Sequence, residues 1–114
     1  MTPHIDAVFS ALADPTRRAI LDRLSRGQAR VTDIAAPFDM SLAAASKHIK
    51  VLERAGLVRR AVHGRTHVCR LDPTPLAAAD EWLRFYEQFW NLKLDALEAL
   101  LKAEDGAPPK GKPR

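Results

Sequence analysis

The chain has 114 residues, a single cysteine (Cys69), a formal net charge of +4 and a sequence pI of about 9.6. This length indicates one domain, the basic balance favours an acidic partner, and a lone cysteine excludes an intramolecular disulfide and fits a reducing cytoplasm. No apolar run is long enough to cross a bilayer, and the first residues, MTPHIDAVF, lack the basic and apolar regions of a secretory signal.

Two helices are predicted in the first quarter of the chain. Apolar residues at helical spacing favour a short helix over His4–Leu12. A second helix follows Asp14, which is a good N-cap, and begins with Pro15, whose missing N–H costs nothing at the first helical position. Gly27 is expected to close this helix as the residue after its C-cap.

A third, short helix is predicted over Asp33–Phe38, with Thr32 as its N-cap and Val31 in a strand pairing. Pro37 lies late in this helix, so its backbone should be irregular there. Asp39 follows as a left-handed turn residue, because Asp tolerates that conformation better than most residues.

Ser41 is predicted to cap a fourth helix over Leu42–Ala55, which Gly56 ends. Its expected buried stripe recurs at helical spacing and consists of Leu42, Ala45, Ile49 and Leu52.

A hairpin and a long last helix complete the predicted elements. Strands Leu57–His63 and Thr66–Leu71 flank the turn Gly64-Arg65. The last helix is expected over Leu76–Ala103, and residues 104–114, rich in Pro, Gly and Lys, are expected to be a disordered tail. One domain would therefore cover residues 1–103.

This order predicts a mostly helical fold with a small β-hairpin, running helix-helix-helix-helix-strand-strand-helix. A short helix, a three-residue turn, a second helix and a hairpin make a winged helix-turn-helix. The two-helix unit would be Thr32–Ala55, and the hairpin over residues 57–71 would be the wing.

Positive charge is concentrated on the fourth helix and the hairpin. Residues 47–70 contain seven Lys or Arg residues and one acid, Glu53, a surplus larger than that of the whole chain. Such a patch is typical of a phosphate-binding surface, although a solvated basic face is the plainer alternative.

The pattern predicts that helix 42–55 enters the major groove of double-stranded DNA and that the wing lies on the flanking backbone or in a minor groove. Alanines let the helix approach closely, and serine, lysine, arginine and histidine reach base edges or phosphates. The predicted DNA-binding residues are Thr32, Ser41, Ala43, Ala44, Ser46, Lys47, His48, Lys50, Arg59, Arg60, His63 and Arg65.

Three motifs resemble the ArsR family of bacterial winged-helix repressors: ALADPTRRAILDRL (11–24), SKHIKVLERAGLV (46–58) and GRTHVCRL (64–71). The resemblance covers about residues 4–102 and implies a homodimer that binds a partly palindromic operator and represses transcription. Metal-sensing members carry cysteines in the third helix, or His, Asp or Glu ligands on the last. Here TDIAAPF (32–38) has no cysteine and the last helix has no histidine, so no metal or other cofactor is expected.

The last helix is apolar on more than one face, which indicates a dimer through the terminal helices. The predicted interface residues are Ile5, Val8, Phe9, Leu83, Tyr86, Trp90, Leu94, Leu97 and Leu101. The rival interpretation is an aromatic pocket for an unknown small-molecule inducer, formed by Trp82, Phe85, Tyr86, Phe89 and Trp90.

Four alternatives to a DNA-binding regulator have weaker support in the residues. A redox sensor would use Cys69, which is expected to be half-buried and structural. A metal site at His63, His67 and Cys69 has too few ligands on one strand face. A protein-interaction module would not need the basic segment, and an enzyme is disfavoured because no nucleophile–base pair or phosphate-cradling loop is present.

Overall fold

The computed structural model describes residues 3–105. Six helices and three strands follow in chain order. They are α1 (Pro3–Leu12), α2 (Pro15–Ser25), β1 (Ala29–Arg30), α3 (Val31–Ala35), a 3-10 helix (Ala36–Phe38), α4 (Leu42–Arg54), β2 (Val58–His63), β3 (Thr66–Leu71) and α5 (Thr74–Asp105). The helical order and the hairpin confirm the predicted winged helix-turn-helix.

Two compact units divide the chain, one up to Asp80 and one from Glu81 onward, with the boundary inside α5. Helix α5 runs from Thr74 to Asp105, so residues 104 and 105, assigned above to the tail, are helical. The rest of the predicted disordered tail, residues 106–114, lies outside the described residues.

Local capping explains where α2 and α4 begin. The Asp14 carboxylate accepts a hydrogen bond from the Arg17 amide at 3.0 Å, and the Ser41 hydroxyl accepts one from the Ala44 amide at 3.1 Å. Each bond satisfies one of the amides that a helix start leaves without a partner. Both predicted N-caps are confirmed, as is Gly27, which follows the C-cap of α2 with φ of 142°.

The start of α3 differs from the prediction. Helix α3 begins at Val31, so Thr32 lies inside its first turn and does not cap it. The strand before it is Ala29–Arg30, which pairs antiparallel with β3 in the register Ala29↔Cys69. The chain therefore passes from the sheet directly into the helix, and Val31 belongs to the helix and not to the strand.

The turn between α3 and α4 is built as expected. Pro37 lies in the 3-10 helix that follows α3, and Asp39 adopts a left-handed conformation with φ 51° and ψ 41°. This bend reverses the chain so that α4 packs against α3 through its buried face, formed by Ala45, Ile49 and Leu52.

The predicted buried stripe of α4 is wrong at Leu42. It is 52% exposed, whereas the other three stripe residues are buried. Leu42 is the first residue of α4, and this turn extends past the buried part of the helix, so its apolar side chain faces solvent.

The core of the first unit lies between α1, α2, α3, α4 and the sheet. Its largest fully buried side chains are Val8, Ile20, Ile34, Ile49, Leu52, Leu57 and Cys69. Val8 is 0% exposed and Ile5 is 4% exposed within one protomer. This burial removes both from the predicted dimer interface, and Val8 packs in the protomer's own core.

The sheet has the order β1-β3-β2, with β2 and β3 in register from Val58↔Leu71 to His63↔Thr66. Gly64 has φ 63° at the first central position of the two-residue turn, a conformation that favours glycine. Strand alternation places Arg60 on the same face as Val58, and both lie on the core side of the sheet.

The second unit contains the part of α5 from Glu81 onward. Its aromatic rings contact one another along the helix, with centroid distances of 4.7 Å for Trp82–Tyr86 and 4.9 Å for Phe85–Tyr86. Within residues 3–105, no helix combines the length and the apolar character that crossing a membrane requires.

Candidate nucleic-acid interface

Helices α3 and α4 form the helix-turn-helix unit, and β2 with β3 forms the wing. On α4, Ala43, Lys47, Lys50 and Arg54 are exposed and lie opposite the buried stripe. Their spacing of four, three and four residues places them on one face of the helix. We call this set the basic face of α4. It combines one small side chain with three cations.

Seven basic residues fall within positions 47–70, but two of them have acidic partners. Arg59 pairs with Asp72, and Arg60 pairs with Glu53. The other five make no ion pair with any residue in the described part of the chain, and they are Lys47, Lys50, Arg54, Arg65 and Arg70. The patch therefore keeps most of the charge that the sequence indicates.

Arg60 was predicted to bind DNA as a free surface cation, but in the structure it is paired with an acid. One guanidinium nitrogen donates to the Glu53 carboxylate at 2.7 Å, and another lies 3.3 Å from Nδ1 of His67. Only 16% of the Arg60 side chain is exposed. Strand alternation directs this residue toward α4, so it joins the wing to the recognition helix.

Arg59 stays exposed but is also partnered. Its Nε donates to Asp72 at 2.7 Å, and its register partner on β3 is Arg70. Two like charges directly opposite each other destabilise a strand pair, and the Asp72 carboxylate offsets that repulsion. The hydrogen bond from Arg59, together with those from Thr74, lowers the pKa of Asp72 to about 2.

His48 lies at the junction between α4 and the α1–α2 turn. Its Nδ1 lies 3.4 Å from a guanidinium nitrogen of Arg17 and 3.9 Å from the Asp14 carboxylate. Because Nδ1 is turned toward Arg17 and Asp14, the predicted contact of His48 with a phosphate would be made by the other ring nitrogen, Nε2.

The remaining predicted contacts lie around α4 and at the wing tip. Thr32, Ser41, His63 and Arg65 are exposed, and Ala44 and Ser46 are half-buried. Sequence reasoning left Arg54 and Leu42 out of the site. The spacing of Arg54, four residues after Lys50, was a usable signal, whereas nothing in the pattern marked Leu42 as exposed.

Cys69 is fully buried, deeper than the half-burial expected from the strand pattern. Burial raises the pKa of its thiol, and the nearby Arg60 opposes that shift. His63 lies on the face of the sheet opposite to that of Cys69. Among residues 3–105, no group of three or more His, Cys, Asp or Glu side chains is placed to hold a metal ion.

A helix-turn-helix followed by a hairpin, with a free basic face on the second helix, defines a winged helix-turn-helix protein. Residues 12–61 match the family model described as a helix-turn-helix domain. The chain is 40% identical over 99 residues to the HTH-type transcriptional regulator Rv2034 of Mycobacterium tuberculosis, covering 87% of this chain and 90% of that protein.

The Bacillus subtilis transcriptional repressor SdpR is 36% identical over 76 residues, covering 67% of this chain and 84% of the repressor. A solved ArsR family transcriptional regulator, RHA00566, superposes with a TM-score of 0.74 at 43% identity, over 80% of this chain and 95% of that one. The chain therefore belongs to the ArsR family of winged helix-turn-helix transcriptional regulators, which are not enzymes.

Proposed function

We propose that this chain is a dimeric repressor that binds a palindromic operator in double-stranded DNA. The observation that carries the proposal is the basic face of α4, where Lys47, Lys50 and Arg54 have no acidic partner within the described chain and flank the small Ala43. The relative named a transcriptional repressor supports repression as the output.

Helix α4 is the element that enters the major groove. Ala43 and Ala44 allow the helix to approach the base pairs closely and present methyl groups to thymine. Ser46 and Lys47 reach base edges or phosphates, and Lys50 and Arg54 extend the contact along the backbone. Ser41, the N-cap of α4, and Thr32, in the first turn of α3, are exposed and donate to the flanking phosphates.

The wing contacts the DNA beside the recognition helix. Arg65 follows Gly64 at the tip and has no ion-pair partner among residues 3–105, so its guanidinium is free to enter a minor groove. His63 and Arg59 lie along the exposed wing face and track phosphates. Asp72 weakens the Arg59 contact, because the carboxylate competes with a phosphate for the same guanidinium.

Self-association rests on the apolar surface of α5. The exposed members of the predicted interface are Leu83, Tyr86, Trp90, Leu94, Leu97 and Leu101, and Phe9 on α1 is half-buried. A row of six exposed apolar side chains along one helix is typical of a protein interface. An isologous dimer buries it twice and places two recognition helices about one helical turn of DNA apart.

A ligand-responsive regulator is the second candidate. The rings of Trp82, Phe85, Tyr86 and Phe89 form a chain of contacts with centroid distances of 4.7 to 6.1 Å, which offers a stacking surface for an aromatic inducer. Such a ligand would compete with the dimer contact, so it would release the operator. An aromatic compound that lowers operator affinity in proportion to loss of the dimer would establish this role.

The test begins with selection of duplexes from a random pool, followed by fluorescence anisotropy over a salt series. We expect the chain to bind one selected palindrome as a dimer. Lys47→Ala should lower the slope of log K against log salt by about one unit. The matched control is Lys102→Ala, an exposed lysine near the end of α5.

No enrichment of any sequence would contradict the proposal. Retained selection with equal slopes would remove only the assignment of Lys47.

A further inference from the structure

Two adjacent arginines near the start of α2 differ in what their side chains contact. Arg18 is exposed and donates to the carbonyl of Leu12 at 2.7 Å. Arg17 is half-buried and contacts both α1 and the recognition helix α4. The function proposed above uses neither side chain.

Each of the three guanidinium nitrogens of Arg17 has its own partner. Nε donates to the carbonyl of Ala11 at 2.8 Å, and Nη2 donates to that of Ser10 at 3.0 Å. These carbonyls lie in the last turn of α1, where the helix dipole stabilises a positive charge. Nη1 lies 3.4 Å from Nδ1 of His48 on α4. The guanidinium is therefore occupied within the protein and is a poor candidate for a phosphate contact of its own.

Asp14 approaches the same edge of the His48 ring. Its carboxylate lies 3.9 Å from Nδ1. The hydrogen bond from the Arg17 amide lowers the pKa of Asp14, so the carboxylate is ionised at neutral pH. The Nδ1 edge of the ring thus lies beside a guanidinium and a carboxylate. Turning the ring over would replace Nδ1 by a carbon and lose both contacts.

The other ring nitrogen of His48 is open. Nε2 makes no hydrogen bond to any of residues 3–105. In that range Nε of Arg60 is the one buried side-chain nitrogen or oxygen that lacks a partner, so Nε2 of His48 is accessible to solvent. His48 lies one helical turn after Ala44 on α4. Because Ala44 is proposed to face the base pairs, the imidazole is placed at the side of the groove, where a backbone phosphate lies.

We propose that Arg17 is a positioning residue for operator binding, which holds the Nδ1 edge of His48 inward so that Nε2 meets a phosphate. A side chain that is ordered before binding loses less conformational entropy when the complex forms. The proposal rests on the DNA-binding function proposed above. It gives Arg17 an effect that passes through His48, with no contact between Arg17 and DNA.

The order of the His48 ring is measured first, in the free full-length chain. The observable is ¹³C relaxation of the imidazole carbons, and the signal of His48, one of four histidines, is assigned from its loss in His48→Ala. We expect a rigid ring in wild type and a mobile ring in Arg17→Gln. Arg18→Gln removes the same charge from the same helix and is the matched control, in which the ring should stay rigid. Equal order in all three proteins overturns the proposal.

Fluorescence anisotropy with the selected duplex then measures the affinity. His48→Ala and Arg17→Gln should each weaken binding about tenfold, because a dimer loses the hydrogen bond twice. The two changes together should weaken binding no further than His48→Ala alone. Arg17→Lys keeps the charge but replaces the planar fork by a single ammonium, so it should lose as much affinity as Arg17→Gln. Arg18→Gln should keep the wild-type affinity.

Two results of the binding measurements overturn the proposal. Losses that multiply in the double variant would show that Arg17 acts independently of His48. Wild-type affinity in Arg17→Lys would show that only the charge matters. Because Arg17 also holds α1, all variants are compared at a temperature where circular dichroism shows them folded. If Arg17→Gln does not fold, Arg17→Lys completes the same cycle with His48→Ala.

Failure of the DNA-binding function is recognised separately. In that case no duplex binds the wild-type chain, and this proposal falls with the function. If wild type binds the duplex and both Arg17→Gln and His48→Ala bind it equally well, this proposal alone is overturned.

Discussion

The Arg60 guanidinium of β2 contacts the Glu53 carboxylate of α4 at 2.7 Å. This pair joins the wing to the recognition helix, the two elements proposed to contact DNA. Because 16% of the Arg60 side chain and 30% of the Glu53 side chain are exposed, the pair is largely removed from solvent. Its loss leaves a charge that water reaches poorly.

Arg60→Gln should lower the free energy of unfolding by about 2 kcal/mol, below the range for fully buried pairs because both groups keep some solvent contact. Urea denaturation measures this loss. Arg54→Gln, an exposed arginine on α4 with no ion pair among residues 3–105, should change stability by less than about 0.5 kcal/mol. Equal losses in the two variants would show that the Arg60 pair does not hold the wing.

Asp72 makes the free energy of unfolding depend on pH. Hydrogen bonds from Arg59 and Thr74 lower its pKa from 3.8 to about 2, so the unfolded chain takes up a proton at higher pH than the folded chain. The resulting stabilisation is present above about pH 4 and is lost as pH falls through about 2. Asp72→Asn should therefore be less stable than wild type near neutral pH.

The two proteins should converge in stability as the carboxyl of wild type becomes protonated. Unfolding by urea at several pH values between 2 and 7 gives the difference. A constant difference over that range would contradict the assignment to Asp72.

Cys69 should be inert in the folded chain. Its side chain is fully buried, and burial raises the pKa of the thiol, so little reactive thiolate is available. A thiol reagent added to the native chain should react only at the rate of transient opening, and reaction should become fast in denaturant.

The redox-sensor hypothesis makes the opposite forecast. If a mild oxidant releases operator DNA from wild type and leaves Cys69→Ala bound, the thiol has a regulatory role. We expect both proteins to keep their DNA affinity.

Leu97→Lys should convert the proposed dimer into a monomer. Leu97 is exposed on α5, so the change costs little within one protomer, but a lysine in an apolar interface is unpaired in both copies. Sedimentation over a range of concentrations measures the shift. Gln88→Lys adds the same side chain on the same helix outside the predicted interface residues. A dimer that persists in Leu97→Lys would place the contact elsewhere.

Much of the fold could be predicted because its signals are local. Asp14 and Ser41 begin helices through hydrogen bonds to amides three residues ahead. Asp39 and Gly64 adopt the positive φ values that their turns require. Each of these effects involves neighbouring residues, so residue type and spacing are sufficient to indicate them.

The candidate site was only partly predictable, since charge in a sequence carries no information about its partner. Lys47 and Lys50 were assigned from spacing, and both are exposed. Arg60 carries the same charge, yet its strand face turns it toward Glu53. Leu42 follows the helical apolar period, but it is the first residue of α4 and lies beyond the core, so its side chain is exposed.

The sequence by itself determined the order of helices and strands, the caps and turns, and the excess of positive charge on α4 and the hairpin, because these depend on backbone preferences and composition. Tertiary structure alone decided which cations keep no acidic partner and which apolar residues are buried in the core. Those outcomes depend on side chains far apart in the chain, whose distances are set only when the elements pack.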